Sequence, residues 1–222
     1  MSGGSGLPPR HVAVRLKQAR RHKPSSQLWL TRQLNDPYVA AAQAQGWRSR
    51  AAFKLLELDA KYRLIAKGAR VVDLGAAPGG WSQAALAQGA GNVVGIDLLE
   101  IAPLAGASFV RGDFTAEGME ARLAELLGGP ADLVLSDMAP NTTGHAATDH
   151  LRIMALAEHA FGFATEILRP GGAVVIKLFQ GGAESEMLNR VKKSFRTVRH
   201  AKPPASRSGS RELYLVATGF HP

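Results

Sequence analysis

The sequence predicts an α/β fold: a mostly parallel, doubly wound sheet with helices on both faces and an antiparallel strand pair at its C-terminal end. Apolar runs rich in β-branched residues alternate with helical segments between residues 70 and 195. The first run breaks into a turn with three glycines, and two later strand-like runs are joined by a loop too short for a crossover helix. A chain of 222 residues is long enough for one such domain with short appendages.

The N-terminal part of the chain precedes this alternation and has a different composition. Residues 1–24 are rich in Gly, Pro, Arg and Lys, and we predict that they form a flexible basic arm. Residues 25–222 are predicted to form a single domain that begins with a helical segment at 25–66. Pro37 and Gly46 divide this segment into two or three short helices.

The alternating region consists of strands and helices of ordinary length. Parallel strands are predicted at Arg70–Leu74, Val93–Asp97, Ser108–Arg111, Asp132–Ser136 and Ala173–Leu178. Helices are predicted at about residues 81–88, 117–127, 149–168 and 183–195. The last two runs, Phe195–Ala201 and Glu212–Thr218, are separated only by the loop Lys202–Arg211, so we expect them to pair antiparallel at one end of the sheet.

The segment after the first strand indicates a nucleotide site. It forms a glycine turn (Gly75–Gly80) before a helix, and glycines let the backbone approach a bound molecule closely. The second strand ends at Asp97, whose carboxylate can accept hydrogen bonds from both hydroxyls of a ribose. The turn departs from the G-x-G-x-x-G pattern of NAD sites and contains Pro78, which has no N–H. A cationic ligand without phosphate suits it better, and S-adenosylmethionine is the candidate cofactor.

Charge is distributed unevenly along the chain, whose formal net charge is +9. Residues 1–50 hold nine Lys/Arg and one acidic residue, residues 190–222 hold eight and one, and the middle of the chain is acidic. Two separated basic segments indicate a polyanionic partner. The sequence has no cysteine, no His or Cys cluster typical of a metal site, and no apolar run of the roughly 18 residues that a membrane helix needs. We therefore expect a soluble, intracellular protein without a metal.

Several charged residues fall at or near predicted strand ends, where ligands bind in sheets of this class. They are Asp73, Asp97, Asp113, Asp137 and Lys177. Lys177 interrupts an otherwise apolar strand, and a charge in such a place needs partners or must lose its proton. Lys54 lies beside an apolar helical face, and Glu212 is the one acid of the basic C-terminal region.

Five ordered blocks of the sequence resemble the FtsJ/RlmE family of ribosomal RNA 2′-O-ribose methyltransferases. The blocks are Arg48–Leu55, Asp73–Gln83, Ser136–Asn141, Lys177–Gly181 and Ser210–Gly219. The resemblance implies the Rossmann-like fold of S-adenosylmethionine-dependent methyltransferases. The family's Lys-Asp-Lys-Glu tetrad falls on Lys54, Asp137, Lys177 and Glu212. Its cofactor residues fall on Gly79, Trp81, Asp97, Asp113 and Asp137.

The resemblance also implies a reaction and a substrate. The family's bacterial members methylate the ribose 2′-hydroxyl of one uridine in the A loop of large-subunit 23S rRNA, within the assembled 50S subunit. We therefore expect a cytoplasmic monomer that binds this RNA and neither DNA nor a membrane. Relatives act on tRNA anticodon loops or mitochondrial rRNA, and these substrates are the alternatives. The acid-free N-terminus is also compatible with a mitochondrial transit peptide, although its Gly/Pro content disfavours an amphipathic helix.

Lys177 could take part in methyl transfer in either of two ways. As the proton acceptor it must be neutral, and an unperturbed lysine is a poor base at neutral pH. As a charged group it would instead stabilise the developing alkoxide. Two other hypotheses are an RNA-binding ribosome assembly factor that needs no catalysis, which the intact tetrad disfavours, and a nucleotide-dependent oxidoreductase, which the glycine turn disfavours.

Overall fold

A seven-stranded mixed sheet with helices packed against it is the framework of the molecule. The computed structural model describes residues 33–140, 144–180 and 185–222, together with residues 27, 30 and 31. The predicted arm at 1–24 lies outside the described residues. The described helices are α1 (Pro37–Ala44), α2 (Ala51–Tyr62), α3 (Gly80–Ala87), α4 (Met119–Leu127), α5 (Ala146–Ile167) and α6 (Ser185–Ser194). The strands are β1 (Arg70–Leu74), β2 (Asn92–Asp97), β3 (Ala107–Arg111), β4 (Ala131–Ser136), β5 (Leu168–Phe179), β6 (Phe195–Ala201) and β7 (Glu212–Phe220).

The strand order across the sheet is β3-β2-β1-β4-β5-β7-β6. Strands β1 to β5 pair in parallel, which confirms the predicted doubly wound sheet. Because the chain order reverses next to β1, the carboxyl ends of β1 and β4 form the crevice in which such sheets bind ligands.

The C-terminal strands pair antiparallel, as predicted, but the last strand does not lie at the edge. β7 pairs antiparallel with both β5 and β6 and is inserted between them. The burial of the two strands explains this order. Residues 213–217 of β7 are all buried, whereas β6 exposes most of its residues, including Arg196 and Arg199. A strand buried on both faces needs two neighbours, and a charged strand suits an edge.

Strand β5 begins at Leu168 instead of the predicted Ala173. The segment Arg169–Gly172 has the composition of a turn, yet it continues as strand. Arg169 forms an ion pair with Asp132 at the start of β4, and Asp132 also accepts a hydrogen bond of 2.7 Å from the backbone N–H of Arg70. These contacts hold the start of β5 beside its neighbours, which a local sequence pattern does not reveal.

Both faces of the sheet are covered by apolar packing. Val72 and Leu74 of β1 belong to the core that α4, α5 and α6 cover, and Val71 belongs to the core that α2 and α3 cover. The apolar run of β1 follows from this double burial. Within the described residues, no helix is long and apolar enough to span a membrane.

Candidate active site

The turn after β1 and the segment after β4 meet at the carboxyl edge of the sheet. The backbone N–H of Asp137 donates to the carbonyl of Leu74 at 3.1 Å. Gly75 has a φ of 78°, and a Cβ at this position would lie 2.9 Å from Cα of Met138. Only glycine allows both this conformation and this approach, so the glycine turn packs directly against the segment that carries Asp137.

Asp137 and Lys177 form one half of a charged cluster. Nζ of Lys177 lies 2.8 Å from Oδ1 of Asp137 and also donates to its backbone carbonyl at 2.6 Å. The side chain of Lys177 is 9% exposed and that of Asp137 is 18% exposed. Lys177 lies near the end of β5 between the buried residues Ile176 and Leu178, and the Asp137 carboxylate satisfies its charge there.

Lys54 and Glu212 form the other half. Lys54 lies on the buried face of α2, and its Nζ is 2.8 Å from Oε1 of Glu212 at the start of β7. Their side chains are 9% and 13% exposed. Helix α2 and strand β7 are far apart in sequence, so the fold alone brings this pair to the edge of the sheet.

Tyr214, which is not among the residues predicted from the sequence, joins the two halves. Its hydroxyl accepts a hydrogen bond from Nζ of Lys54 at 3.0 Å and donates one to Oδ1 of Asp137 at 2.7 Å. Tyr214 is the register partner of Lys177 on β5 and lies two residues after Glu212 on β7. Side chains at i and i+2 share one face of a strand, so this spacing is a signal that could have identified it.

The surroundings set the protonation of two members of this cluster. Burial pushes the pKa of Asp137 upward, but the ammonium groups of Lys177 and Lys54 outweigh this effect, and its pKa is lowered overall. Burial, followed by the charges of Asp137 and Glu212, raises the pKa of Tyr214 well above its ordinary value. Asp137 is therefore an anion and Tyr214 a neutral donor at neutral pH, which fixes the direction of their hydrogen bond.

Asp97 and Asp113 lie on the β2–β3 side of the same edge. Asp97 accepts hydrogen bonds of 2.9 Å from the backbone N–H of Ala77 at Oδ2 and of Leu99 at Oδ1. It therefore ties the glycine turn to the segment after β2. Asp113 is exposed, and two hydrogen bonds from Thr115, first from its backbone N–H and then from its hydroxyl, lower the pKa of Asp113. The structure separates these two carboxylates from the four tetrad residues, which lie on α2, β5 and β7 and after β4.

Gly79 and Trp81 occupy the other end of the glycine turn. Gly79 precedes α3 with a φ of 101°. The Trp81 side chain is buried, its Nε1 donates to the carbonyl of Ala51 at 2.8 Å, and its ring centroid is 5.5 Å from that of Tyr214. Trp81 thus connects the start of α2 to the charged cluster.

Asp73 is a buried carboxyl under the glycine turn. Its Oδ2 accepts a hydrogen bond of 2.6 Å from the hydroxyl of Ser82, and its Oδ1 has no hydrogen-bond partner among the residues that the structure describes. Burial raises the pKa of Asp73 to about 7. A buried carboxyl oxygen without a donor suits a cationic ligand. This atom and the glycine turn therefore fit a sulfonium nucleoside. The part of the chain that the structure describes contains no group of three His, Asp or Glu side chains that could hold a metal ion.

The chain is similar to proteins of one family over most of its length. The model of the FtsJ-like methyltransferase family matches residues 47–220. A protein of Acidiphilium cryptum, named ribosomal RNA large subunit methyltransferase E, is 71% identical over 213 residues, which cover 96% of this chain and 95% of the relative. A protein of the same name from Granulibacter bethesdensis is 63% identical over 225 residues, which cover 100% of this chain and 98% of the relative.

A solved structure has the same fold. The crystal structure of a ribosomal RNA methyltransferase from Plasmodium falciparum superimposes with a TM-score of 0.70 and 30% sequence identity. The superposition covers 78% of this chain and 98% of that one.

Proposed function

Because the chain belongs to the FtsJ-like methyltransferase family and is an RNA methyltransferase, we propose that it methylates a ribose 2′-hydroxyl in large-subunit rRNA with S-adenosylmethionine as the donor. The target is one uridine in the A loop of 23S rRNA, in the assembled or assembling 50S subunit. The observation that carries this proposal is the convergence of Lys54, Asp137, Lys177 and Glu212 on one edge of the sheet.

The reaction requires an oxygen that is held in line with a methyl group and loses its proton as it attacks. S-adenosylmethionine supplies an electrophilic methyl group on a sulfonium when it is bound. Gly79, Trp81, Asp97, Asp113 and Asp137 would hold it, with Asp97 toward the ribose of the cofactor. The protein's own contribution is the placement of the hydroxyl and the removal of its proton.

Lys177 is the proposed proton acceptor. Among the described residues, its Nζ contacts Oδ1 and the carbonyl of Asp137, which leaves one position of the amine for a substrate oxygen. A lysine accepts a proton only when it is neutral, so this role predicts a rate of methyl transfer that rises with pH along one ionisation. The charged role, stabilisation of an alkoxide, predicts the opposite direction, a rate that falls where the lysine loses its proton. Single-turnover rates of the wild-type protein between pH 6 and pH 10 distinguish the two.

The other members of the cluster position this lysine. Asp137 holds Nζ of Lys177, Tyr214 holds the same carboxylate oxygen, and Lys54 holds Tyr214. Glu212 neutralises Lys54. The result is a chain of contacts in which each charge has an opposite neighbour, so the cluster is preorganised before the RNA binds.

Basic residues next to the tetrad support an RNA substrate. Only RNA carries a 2′-hydroxyl, and cations beside the target grip phosphates. The β6–β7 loop (Lys202–Arg211) contains three cations and joins the ends of β6 and β7 closest to the tetrad, since Ala201 is paired with Tyr214. The start of β6, with Phe195 paired to Phe220, lies at the opposite end of the strand. Phosphates near the target uridine are therefore expected at the β6–β7 loop.

The substrate is tested by supplying radiolabelled S-adenosylmethionine with 50S subunits, free 23S rRNA or tRNA, all from cells that lack this methylation. Mapping of the product should find one 2′-O-methyluridine in the A loop, with 50S subunits as the preferred substrate. Labelling of tRNA alone, or of a base instead of a ribose, would contradict the proposal. We further propose a cytoplasmic monomer without DNA or membrane partners, which sedimentation and cell fractionation test.

A further inference from the structure

We propose that Arg48 is a positioning residue of the cofactor pocket, which locks the glycine turn onto the segment after β2, and that it is not a ligand of RNA phosphate. The inference rests on the proposed function, because it takes the crevice beside Asp97 as the S-adenosylmethionine site. A basic residue next to an RNA-binding helix would be expected to bind phosphate, whereas Arg48 is assigned to the cofactor site.

The Arg48 guanidinium bridges two segments that are otherwise joined through Asp97. Its Nη1 donates to the carbonyl of Ala102 at 2.6 Å and to that of Pro78 at 3.4 Å. Its Nη2 donates to the carbonyl of Pro103 at 2.6 Å. Pro78 belongs to the glycine turn, whereas Ala102 and Pro103 belong to the segment after β2. The Arg48 side chain therefore connects the glycine turn to the segment after β2, and both of these segments contact Asp97.

Gly79 makes the close approach of this guanidinium possible. A Cβ on Gly79 would lie 2.8 Å from Nη1 of Arg48 and 3.4 Å from Cγ2 of Ile101. The φ of 101° at Gly79 independently disfavours any other residue. The turn is thus built so that the guanidinium packs against its backbone.

The backbone of Arg48 is held in place by α3. Its N–H donates to Oε1 of Gln83 at 2.8 Å, and Nε2 of Gln83 donates to the carbonyl of Gly46 at 2.9 Å. The guanidinium therefore projects from a fixed point. Because these contacts already fix the backbone, the bridge costs only the rotamer freedom of the Arg48 side chain.

Arg50, only two residues along the chain, contacts a different part of the molecule. Its Nε is 3.1 Å from Oδ2 of Asp36, and its Nη2 donates to the carbonyl of Ala205 in the β6–β7 loop. Arg207 of the same loop shares Oδ2 of Asp36 at 3.3 Å. These contacts place both arginines beside the β6–β7 loop, whereas Arg48 directs three of its N–H bonds to carbonyl oxygens of the cofactor side.

The separation gives two different expectations. Loss of the Arg48 guanidinium frees the glycine turn from the segment after β2, so the affinity for S-adenosylmethionine should fall by about tenfold to a hundredfold, the range expected for charge-assisted hydrogen bonds. The affinity for RNA should keep its salt dependence, because no phosphate contact is lost. Loss of the Arg207 guanidinium should have the opposite pattern.

The test compares Arg48→Gln, Arg48→Ala and the control Arg207→Gln with the full-length wild-type protein. Calorimetry measures S-adenosylmethionine affinity, and binding of a 23S rRNA transcript is measured over a series of salt concentrations. Arg48→Gln should weaken cofactor binding and leave the salt slope unchanged, whereas Arg207→Gln should reduce the slope by about one with unchanged cofactor affinity. Millimolar ethylguanidinium should restore cofactor affinity to Arg48→Ala, which a general loss of folding would not allow.

Cofactor affinity within twofold of wild type in both Arg48 variants, or a salt slope reduced by about one in Arg48→Gln, would overturn the assignment. The result is separable from the proposed function. A wild-type protein that binds S-adenosylmethionine but methylates no ribose would remove the proposed reaction and leave the Arg48 comparison intact. A wild-type protein that fails to bind S-adenosylmethionine would remove both.

Discussion

The hydroxyl of Tyr214 donates a 2.7 Å hydrogen bond to Oδ1 of Asp137, and this contact joins two lysine–carboxylate pairs into one cluster. Without it, Lys54 with Glu212 and Lys177 with Asp137 would be two separate ion pairs. The same carboxylate oxygen also receives Nζ of Lys177 at 2.8 Å. Tyr214 therefore positions the Asp137 carboxylate, and through it the proposed proton acceptor.

Tyr214→Phe removes this contact and retains the ring that packs on Trp81. We expect the methyl-transfer rate to fall by about tenfold to a hundredfold, because a hydrogen bond to a charged group is lost. Affinity for S-adenosylmethionine should stay within about twofold, since the ring packing is kept. Single-turnover kinetics with calorimetry checks both, and Tyr62→Phe is the control. An unchanged single-turnover rate would show that the two ion pairs act independently.

Asp97→Ala removes the acceptor of two backbone N–H groups, those of Ala77 and Leu99. The glycine turn and the segment after β2 then lose a shared anchor, and the cofactor loses the proposed partner of its ribose. We expect cofactor affinity to fall on the order of a hundredfold, with a smaller effect on the rate at saturating cofactor. Calorimetry and the split between kcat and KM test this. A variant with lower kcat and normal cofactor affinity would be inconsistent with a binding role.

Asp73 gives a prediction on the pH dependence of stability. Its pKa is about 7 in the folded protein and 3.8 as an unperturbed group. At a pH between these two values, the carboxyl is protonated in the folded protein and loses its proton when the protein unfolds. This contribution to stability is present at low pH and is lost as the pH rises toward 7.

Asp73→Asn cannot ionise and should remove this dependence. Between pH 5 and pH 7.5, the free energy of unfolding of the variant should rise by about 3 kcal/mol relative to that of wild type. Urea unfolding at the two pH values measures the difference. Asp132→Asn is the control, because the pKa of Asp132 is lowered and its effect lies at more acidic pH. Equal shifts in wild type and Asp73→Asn would mean that Asp73 is ionised throughout this range.

Residues 1–24 test the basic-arm hypothesis. Their deletion should weaken binding of 23S rRNA and flatten its dependence on salt. With fewer phosphate contacts, binding releases fewer counterions from the RNA. Binding of the full chain and the truncated chain over a salt series measures the slope. The cofactor affinity of both chains serves as the control and should be equal. Parallel slopes would exclude phosphate contacts from the arm.

The order of elements could be predicted because local patterns determine it. Short apolar runs rich in β-branched residues, such as Val93–Asp97, are typical of buried parallel strands, and the short β6–β7 loop favours antiparallel pairing. The position of β7 between β5 and β6 depends on which strand is buried on both faces. The extension of β5 to Leu168 depends on the pairing of Arg169 with Asp132. Both features depend on contacts between residues that are distant in the sequence, which local patterns do not reveal.

The convergence of side chains at the candidate site was predictable to a similar extent. The resemblance supplied Lys54, Asp137, Lys177 and Glu212, and the fold brings these four residues together. The i, i+2 spacing from Glu212 was the sequence signal for Tyr214. The signal is weak, because an aromatic residue in a buried strand is typical of core packing. Arg48 was missed for another reason: its partners are backbone carbonyl oxygens, which no side-chain pattern encodes.

The most direct test of the central claim is nucleotide-resolution mapping of ribose methylation after one turnover with Lys177→Ala and with wild type, alongside the S-adenosylmethionine affinity of both proteins. We predict that wild type produces one 2′-O-methyluridine in the A loop, and that Lys177→Ala produces none while it binds the cofactor with nearly wild-type affinity. Lys193→Ala, at an exposed lysine of α6, should behave as wild type. Equal methylation by Lys177→Ala and wild type would contradict the claim that the tetrad acts on the ribose hydroxyl.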